Sequence, residues 1–433
     1  MVKTARIASA AALIGLVVGV CLVGAAPVAR ALSNSDKPAS IVVWPKIVVD
    51  TTGRFTSGAP TDTVVQLSNT DSVNQKQAHC FYIDANSHCA DTQAVCETAI
   101  NCPSGGGFAA CVPGWQEIDF DIIMTPDQPL AWHASRGLRR GDFPLEGPGT
   151  CTTPPGRSCT RNTDCGFPNG TCQLGFTNLG SGIPPAPEDP FFGSLTCIQF
   201  DPSQNPAVPD HTSSRNKLKG EAAIEVVPSN TLAAVDVQKY NAIGLLATAN
   251  ATGAANELQI GNGADGSAAT KEYEACPQTL ILDHLFDGAT DPVASAPGAV
   301  TGTVRTDLTL VPCGNNFLTQ TPGRVTAQFV VFNEFEQRFS ASRTVDCFLE
   351  TDLSLLDTRN SGRSIFNAGV SGTIAGQTRI RGVSDAATGR GLLGVARIFV
   401  NNTVTSTASG AAYNLHQQGD PPTGTQPDII TIP

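Results

Sequence analysis

The sequence predicts an all-β protein built as two tandem, internally repeated antiparallel β-sandwiches, immunoglobulin-like or jelly-roll, the first carrying two Cys-rich disulfide insertions. Three observations point there. Hydrophobic residues make up 41% of the 433-residue chain and charged residues only 15%, with 42 Gly and 30 Pro, a composition suited to many short strands joined by turns. In Val325–Leu356, Val325, Ala327, Phe329 and Val331 alternate with Thr326 and Gln328, the period of two of a half-buried strand. That stretch also has an earlier, fainter copy, in which TVVQLSN, QAHCFY and EIDFDII (from Thr63, Gln77 and Glu117) stand for its successive strands.

Taken in order, the chain opens with Lys3 and Arg6 before an apolar run from Ala8 to Gly24 and the triplet Ala29-Arg30-Ala31. This is the pattern of a bacterial-type secretory signal peptide, residues 1–31, cleaved before Leu32. The run falls short of the ~20 residues that span a bilayer, and Val20 before Cys21 argues against a lipid anchor. A secreted or cell-surface location without a membrane span in the mature chain is therefore expected. The net charge of −11 excludes nucleic acid as a natural partner, because a phosphate backbone repels such a surface.

The first sandwich is expected over 38–228, a bridging β segment over 229–299, the second sandwich over 300–403, and a tail over 404–433 whose apolar end suits a closing strand. Aligning the two copies places Ile41–Asp50 against Leu308–Pro312, Thr63–Asn69 against Val325–Asn333, and Cys80 against Cys347. Gly193–Phe200 then falls against the segment after Gly376, and Lys217–Val226 against Gly391–Val400, where Leu-x-Gly-x-Ala-x-Ile is shared. Pro45 confines the first strand to an edge or a bend.

Two Cys-rich insertions interrupt the first copy, at about 84–116 (Cys89, Cys96, Cys102, Cys111) and 138–190 (Cys151, Cys159, Cys165, Cys172). Each is too small and polar to bury a core, so internal disulfides must hold it, in a pairing that four cysteines leave open. For the remaining cysteines the expectation is Cys80–Cys197 and Cys313–Cys347, with Cys276 left over. Asn169, Asn250 and Asn401 begin glycosylation sequons, which carry little weight behind a bacterial-type leader.

VVWP, DTVVQLSNT and CFYIDA resemble the opening of secreted bacterial β-sandwich proteins, in which a Val-Pro strand precedes a T-x-V-x-Φ-x-N strand (Φ apolar). The resemblance implies a fold and a compartment, and no activity.

Candidate chemistry is sparse. Glu117, Asp119 and Asp121 share one face of a strand at ~7 Å intervals, a spacing compatible with a Ca²⁺ site or a two-carboxylate glycosidase and equally with a solvated face. Gly261–Gly266 has the look of a calcium loop but lacks the closing acidic residue. None of the six histidines has metal-ligand spacing to another, although His79 and His88 each adjoin a cysteine and His284 follows Asp283. The reading that fits is an extracellular structural or adhesive protein whose partner is an extracellular protein or glycan. The alternatives are a carbohydrate- or calcium-binding module using Glu117, Asp119, Asp121, Trp115 and Trp132, and a secreted hydrolase using Asp119 or Asp283 with a histidine. No catalytic residue, metal ligand or cofactor is assigned beyond the Ca²⁺ option.

Overall fold

A computed structural model describes residues 33–56, 58–96, 102–104, 107–139, 149–151, 158–159, 172–173, 182–200, 216–227, 235–248, 256–261, 271–290, 302–383, 389–402, 408–419 and 426–433. The leader, most of the second Cys-rich insertion, the sequons at Asn169 and Asn250, and 262–266 lie outside them.

The alternating patterns fold as strands. In the first half these are β1 (Ile41–Val49), β2 (Thr61–Asn69), β3 (Lys76–Asp84), β4 (Gln116–Met124), β5 (Pro129–His133), β6 (Phe191–Phe200), β7 (Leu218–Val226), β8 (Asp236–Asn241) and β9 (Ile243–Leu245). In the second they are β10 (Thr279–Leu285), β11 (Gly302–Pro312), β12 (Arg324–Asn333), β13 (Arg338–Asp346), β14 (Leu349–Asp352), β15 (Ala375–Val383), β16 (Leu392–Asn402), β17 (Ala408–Asn414) and β18 (His416–Gln418). The first half forms a larger sheet, β9-β1-β6-β3-β4, edged by Ser33–Asn34, and a smaller one, β5-β2-β7-β8. The second forms β18-β10-β15-β12-β13 and β14-β11-β16-β17. Each pair of sheets closes on its own apolar core, around Trp44, Tyr82 and Trp132 in one half and Phe286, Phe329 and Phe366 in the other.

The strand orders of the two halves coincide when each strand of the first is matched to the strand nine later. The expected frame is wrong by one strand over its first part: β2 matches β11 rather than β12, and β3 matches β12 rather than β13. In that matching Asn69 and Asn333 fall on strands that are not equivalent, and Cys347 lies outside the strand matched to that of Cys80. The cause is that T-x-V-x-Φ alternation is common to every half-buried strand and cannot fix a frame. The shared Leu-x-Gly-x-Ala-x-Ile lies on β7 and β16, which occupy the same place in the two strand orders. Its glycine is required on both sides. A Cβ on Gly220 would lie 2.1 Å from the Trp44 ring, and one on Gly394 would lie 2.7 Å from Leu415 and 2.8 Å from Leu310. Opposite these glycines stand Leu67 and Leu310.

The bridging segment does not stand apart. Its strands become β8, β9 and β10, so the first sandwich extends to Leu245 and the second begins at Thr279. Glu257–Ile260 pairs with Asp428–Thr431, which also pairs in parallel with Asn315–Asn316. The tail thus closes a three-stranded sheet. Apolar residues from this sheet and from the outer face of the first larger sheet share one buried cluster, in which Phe317 stacks on Phe81 with ring centroids 4.1 Å apart. Both faces of β1 are therefore covered, and all nine of its residues are buried. It is an interior strand, and Pro45 lies at a bulge where the register against β6 shifts.

Cys80 is disulfide-bonded to Cys197 across β3 and β6, and the first insertion is closed by Cys89–Cys102 and Cys96–Cys111. Cys151 is also disulfide-bonded; Cys165 and the side chains of Cys159 and Cys172 lie outside the described residues. The Cys313–Cys347 expectation is overturned. Cys313 pairs with Cys276 at a Cα separation of 6.6 Å, and Cys347 is a buried free thiol. Strand parity failed here because Cys347 has φ 66°: a left-handed residue between β13 and β14 turns its side chain out of the alternation. It lies in the outer cluster with Phe317 rather than in the second sandwich core. Several disulfides are consistent with an extracellular protein, and among the described residues no helix is long and apolar enough to cross a membrane.

Candidate functional site

The site begins with a proline. At the bulge, Pro45 and Lys46 face Ser194, so the Lys46 backbone leaves the ladder. Tyr240 of β8 takes it up: its hydroxyl donates to the Lys46 carbonyl and accepts from the Lys46 N–H at 3.2 Å. The side chain is thereby aimed out of its own sandwich. Its ammonium lies 3.1 Å from Asp307 Oδ2, 3.1 Å from Thr309 Oγ1 and 2.5 Å from Glu350 Oε1, all in the second half, and Lys46 is fully buried. Arg397 of β16 completes the cluster, with Nη2 2.6 Å from Asp307 Oδ2 and 3.4 Å from Glu350 Oε1.

Two cations and two carboxylates cancel. Burial alone would raise the Asp307 carboxyl, but Lys46 and Arg397 outweigh it and hold it below the usual carboxylate range. Burial lifts Glu350, and Lys46 offsets only part of that rise. Beside the cluster the smaller sheets meet at their edges: Gly410 N–H donates to Asp236 Oδ2 at 2.9 Å, and Asn414 Nδ2 to the Asn241 carbonyl at 2.7 Å. These bonds cap two edge strands that would otherwise be open.

Above the cluster lies a cleft of about 580 Å³. Asp307, Glu350 and Arg397 form its floor, and half-buried Phe55 and Phe192 from the first half line it. At its mouth Arg305 stacks on Phe399, 4.7 Å from the ring centre, and pairs with Asp352 at 3.3 Å. None of these residues stands in a recognisable site motif in the sequence. Their only signal was that Lys46 is a lysine within an otherwise apolar strand.

The expected ligand residues do not assemble here. Trp132 is a core residue whose indole N–H donates to Tyr82 Oη at 2.8 Å, so it offers no exposed platform. Trp115 is half-buried and stacked near Phe317. Glu117, Asp119 and Asp121 lie along β4, where β3 pairing brings His79 opposite Asp121. His79 Nδ1 is 2.8 Å from Asp121 Oδ1, and Nε2 is 3.4 Å from Asp119 Oδ2. Asp283 and His284 form no dyad, because strand neighbours face opposite ways. Asp283 accepts from Gln377 at 3.0 Å, while His284 Nε2 lies 2.8 Å from Thr378 Oγ1, and burial holds the imidazole down to about 4.

These carboxyls set a pH dependence. Burial, with Asp119 nearby, raises Glu117 to about 7, and burial raises Asp428 to about 7. Between their ordinary values near 4 and 7 the folded chain binds more protons than the unfolded one, so their contribution falls as pH rises. His284 acts the other way below its ordinary value of 6.5 and offsets one of the two. The expected result is a higher melting temperature at pH 5.5 than at pH 8, measured by calorimetry at constant ionic strength; the opposite order would refute this account.

The sequence matches no protein-family model, and comparison with curated proteins finds no match.

Proposed function

We propose that this is a secreted adhesive protein that holds a neutral glycan in the cleft between its two sandwiches. The observation that carries the reading is the pairing of half-buried aromatic faces, Phe55 and Phe192, with a floor whose two carboxylates are offset by Arg397 and, beneath it, by the buried Lys46. Aromatic walls with a few placed polar groups are the common form of a small-ligand site. A charge-compensated floor discriminates against ionic ligands, whereas the Arg305–Asp352 pair at the mouth offers donors and acceptors to hydroxyls. The disulfides support an oxidising compartment, and the leader pattern supports export. Binding by a rigid scaffold fits the buried Lys46 tie, which fixes one half against the other.

The test is a glycan array followed by calorimetry on the retained oligosaccharides, with chain folded under oxidising conditions. Wild type should bind saturably without converting the sugar. F192A should weaken binding about tenfold or more, the ordinary effect of removing an aromatic anchor, with its melting temperature unchanged. No retained glycan, equal binding by F192A, or sugar turnover would each overturn the proposal.

A further inference from the structure

The base of the first Cys-rich insertion brings together three side chains that the junction cleft does not use. Asp84 ends β3, His88 lies on the short strand Ser87–Cys89, and Glu188 lies a hundred residues further on, just before β6. One ligand atom from each lies within 4.8 Å of the other two.

The cluster is built rather than incidental. Asp84 is 1% exposed. Its Oδ1 accepts from the Asn86 N–H at 2.9 Å, but among the described residues its buried Oδ2 has no hydrogen-bond donor. His88 Nε2 stands 3.1 Å from each oxygen of Glu188. The imidazole is clamped from behind, since a Cβ on Gly114 would fall 2.7 Å from its Nδ1. Asn86 Nδ2 holds the third member, donating to Glu188 Oε1 and, at 2.7 Å, to the Pro190 carbonyl. Two carboxylates thus converge with an imidazole nitrogen, and one inward oxygen has nothing to accept from. Such a set needs a proton or a cation between its members.

We infer that Asp84, His88 and Glu188 bind a divalent transition metal ion of the zinc class. One imidazole nitrogen and two carboxylate oxygens suit Zn²⁺, which takes three protein ligands and a water. Ca²⁺ prefers six to eight oxygens and is disfavoured by this set. The ion pins the insertion where it leaves the sandwich, joining the end of β3, the root of the insertion and the segment before β6. The competing arrangement is a proton shared between the carboxyls. A cation bound by the two carboxylates would take the place of that proton.

The test uses full chain folded with its disulfides, stripped with EDTA, then titrated with zinc chloride or calcium chloride by calorimetry and thermal melting. One Zn²⁺ per chain, a raised melting temperature and a far weaker response to Ca²⁺ are expected. D84N and H88Q should each lower zinc affinity by about 100-fold or more, at or beyond the upper end of the roughly 10–100-fold typical of losing an outer-shell partner. In the metal-free state at pH 8, D84N should melt at or above wild type, because its amide can donate to Glu188 where two carboxyls now compete. That result shows that the variant folds and separates lost ligation from lost structure. No zinc binding by wild type would overturn the inference, and so would wild-type affinity in both variants. Absence of zinc binding, with D84N melting at or above metal-free wild type, would assign the cluster to the shared proton instead.

Discussion

Replacing Lys46 with methionine is expected to cost roughly 3–5 kcal/mol, the usual penalty for removing one partner from a buried ion pair. Methionine keeps the length and the packing of the stem but not the charge. Arg397 alone would then face Asp307 and Glu350, whose Oδ1 and Oε2 atoms already lack donors among the described residues. E350Q should cost less, since Lys46 retains Asp307 and Thr309. The double variant K46M/E350Q restores one cation against one carboxylate, so the two losses should not add; a coupling of about 1–3 kcal/mol is expected for groups in direct contact. Denaturant midpoints of the four proteins measure it. Because Lys46 is fully buried and Glu350 largely so, most of the coupling should persist in high salt. A K46M cost below about 1 kcal/mol would mean that the junction is held by its apolar contacts and the β8–β17 edge bonds, not by this cluster.

Parts of the fold were legible because they depend on neighbouring residues. Alternation in Val325–Asn333 identifies a half-buried strand wherever that strand lies, and Gly220 and Gly394 mark positions that only a missing side chain can occupy. What depended on partners far along the chain was not legible. Alternation is silent about which strand pairs with which, so the two halves were matched one strand out of frame. Nothing local in IVVWPKIVV tells that Lys46 leaves its sandwich; that follows from a bulge opposite Ser194 and a tyrosine nearly two hundred residues away. Asp84 and Glu188 meet across an insertion of unpredictable path. Cys347 was misplaced by a single left-handed residue, since parity counts residues and takes no account of φ.

Removing the Cys80–Cys197 bridge is the other change expected to act strongly. The two cysteines are direct partners on β3 and β6, fully buried, with Cα atoms 4.0 Å apart and a sequence separation of 117. On the chain-entropy model a loop of that length contributes about 5 kcal/mol. Cys276–Cys313 closes only 37 residues and contributes about 4 on the same model. The first bridge also encloses the first Cys-rich insertion, whose own two cross-links shorten the free chain within the loop, so the measured loss should fall somewhat below the model value. Alanine is the informative replacement. Serine would bury two hydroxyls beside Trp44 and Tyr82, costing about 1–3 kcal/mol for each left unpaired, and would confuse the comparison. C80A/C197A is therefore expected to lose about 3–5 kcal/mol, and its m-value should rise, because the unfolded chain without the bridge expands and exposes more surface. Equal m-values would place the loss in the folded core, as a packing defect between β3 and β6. An unchanged denaturant midpoint would show that the surrounding apolar cluster holds these two strands without the bridge.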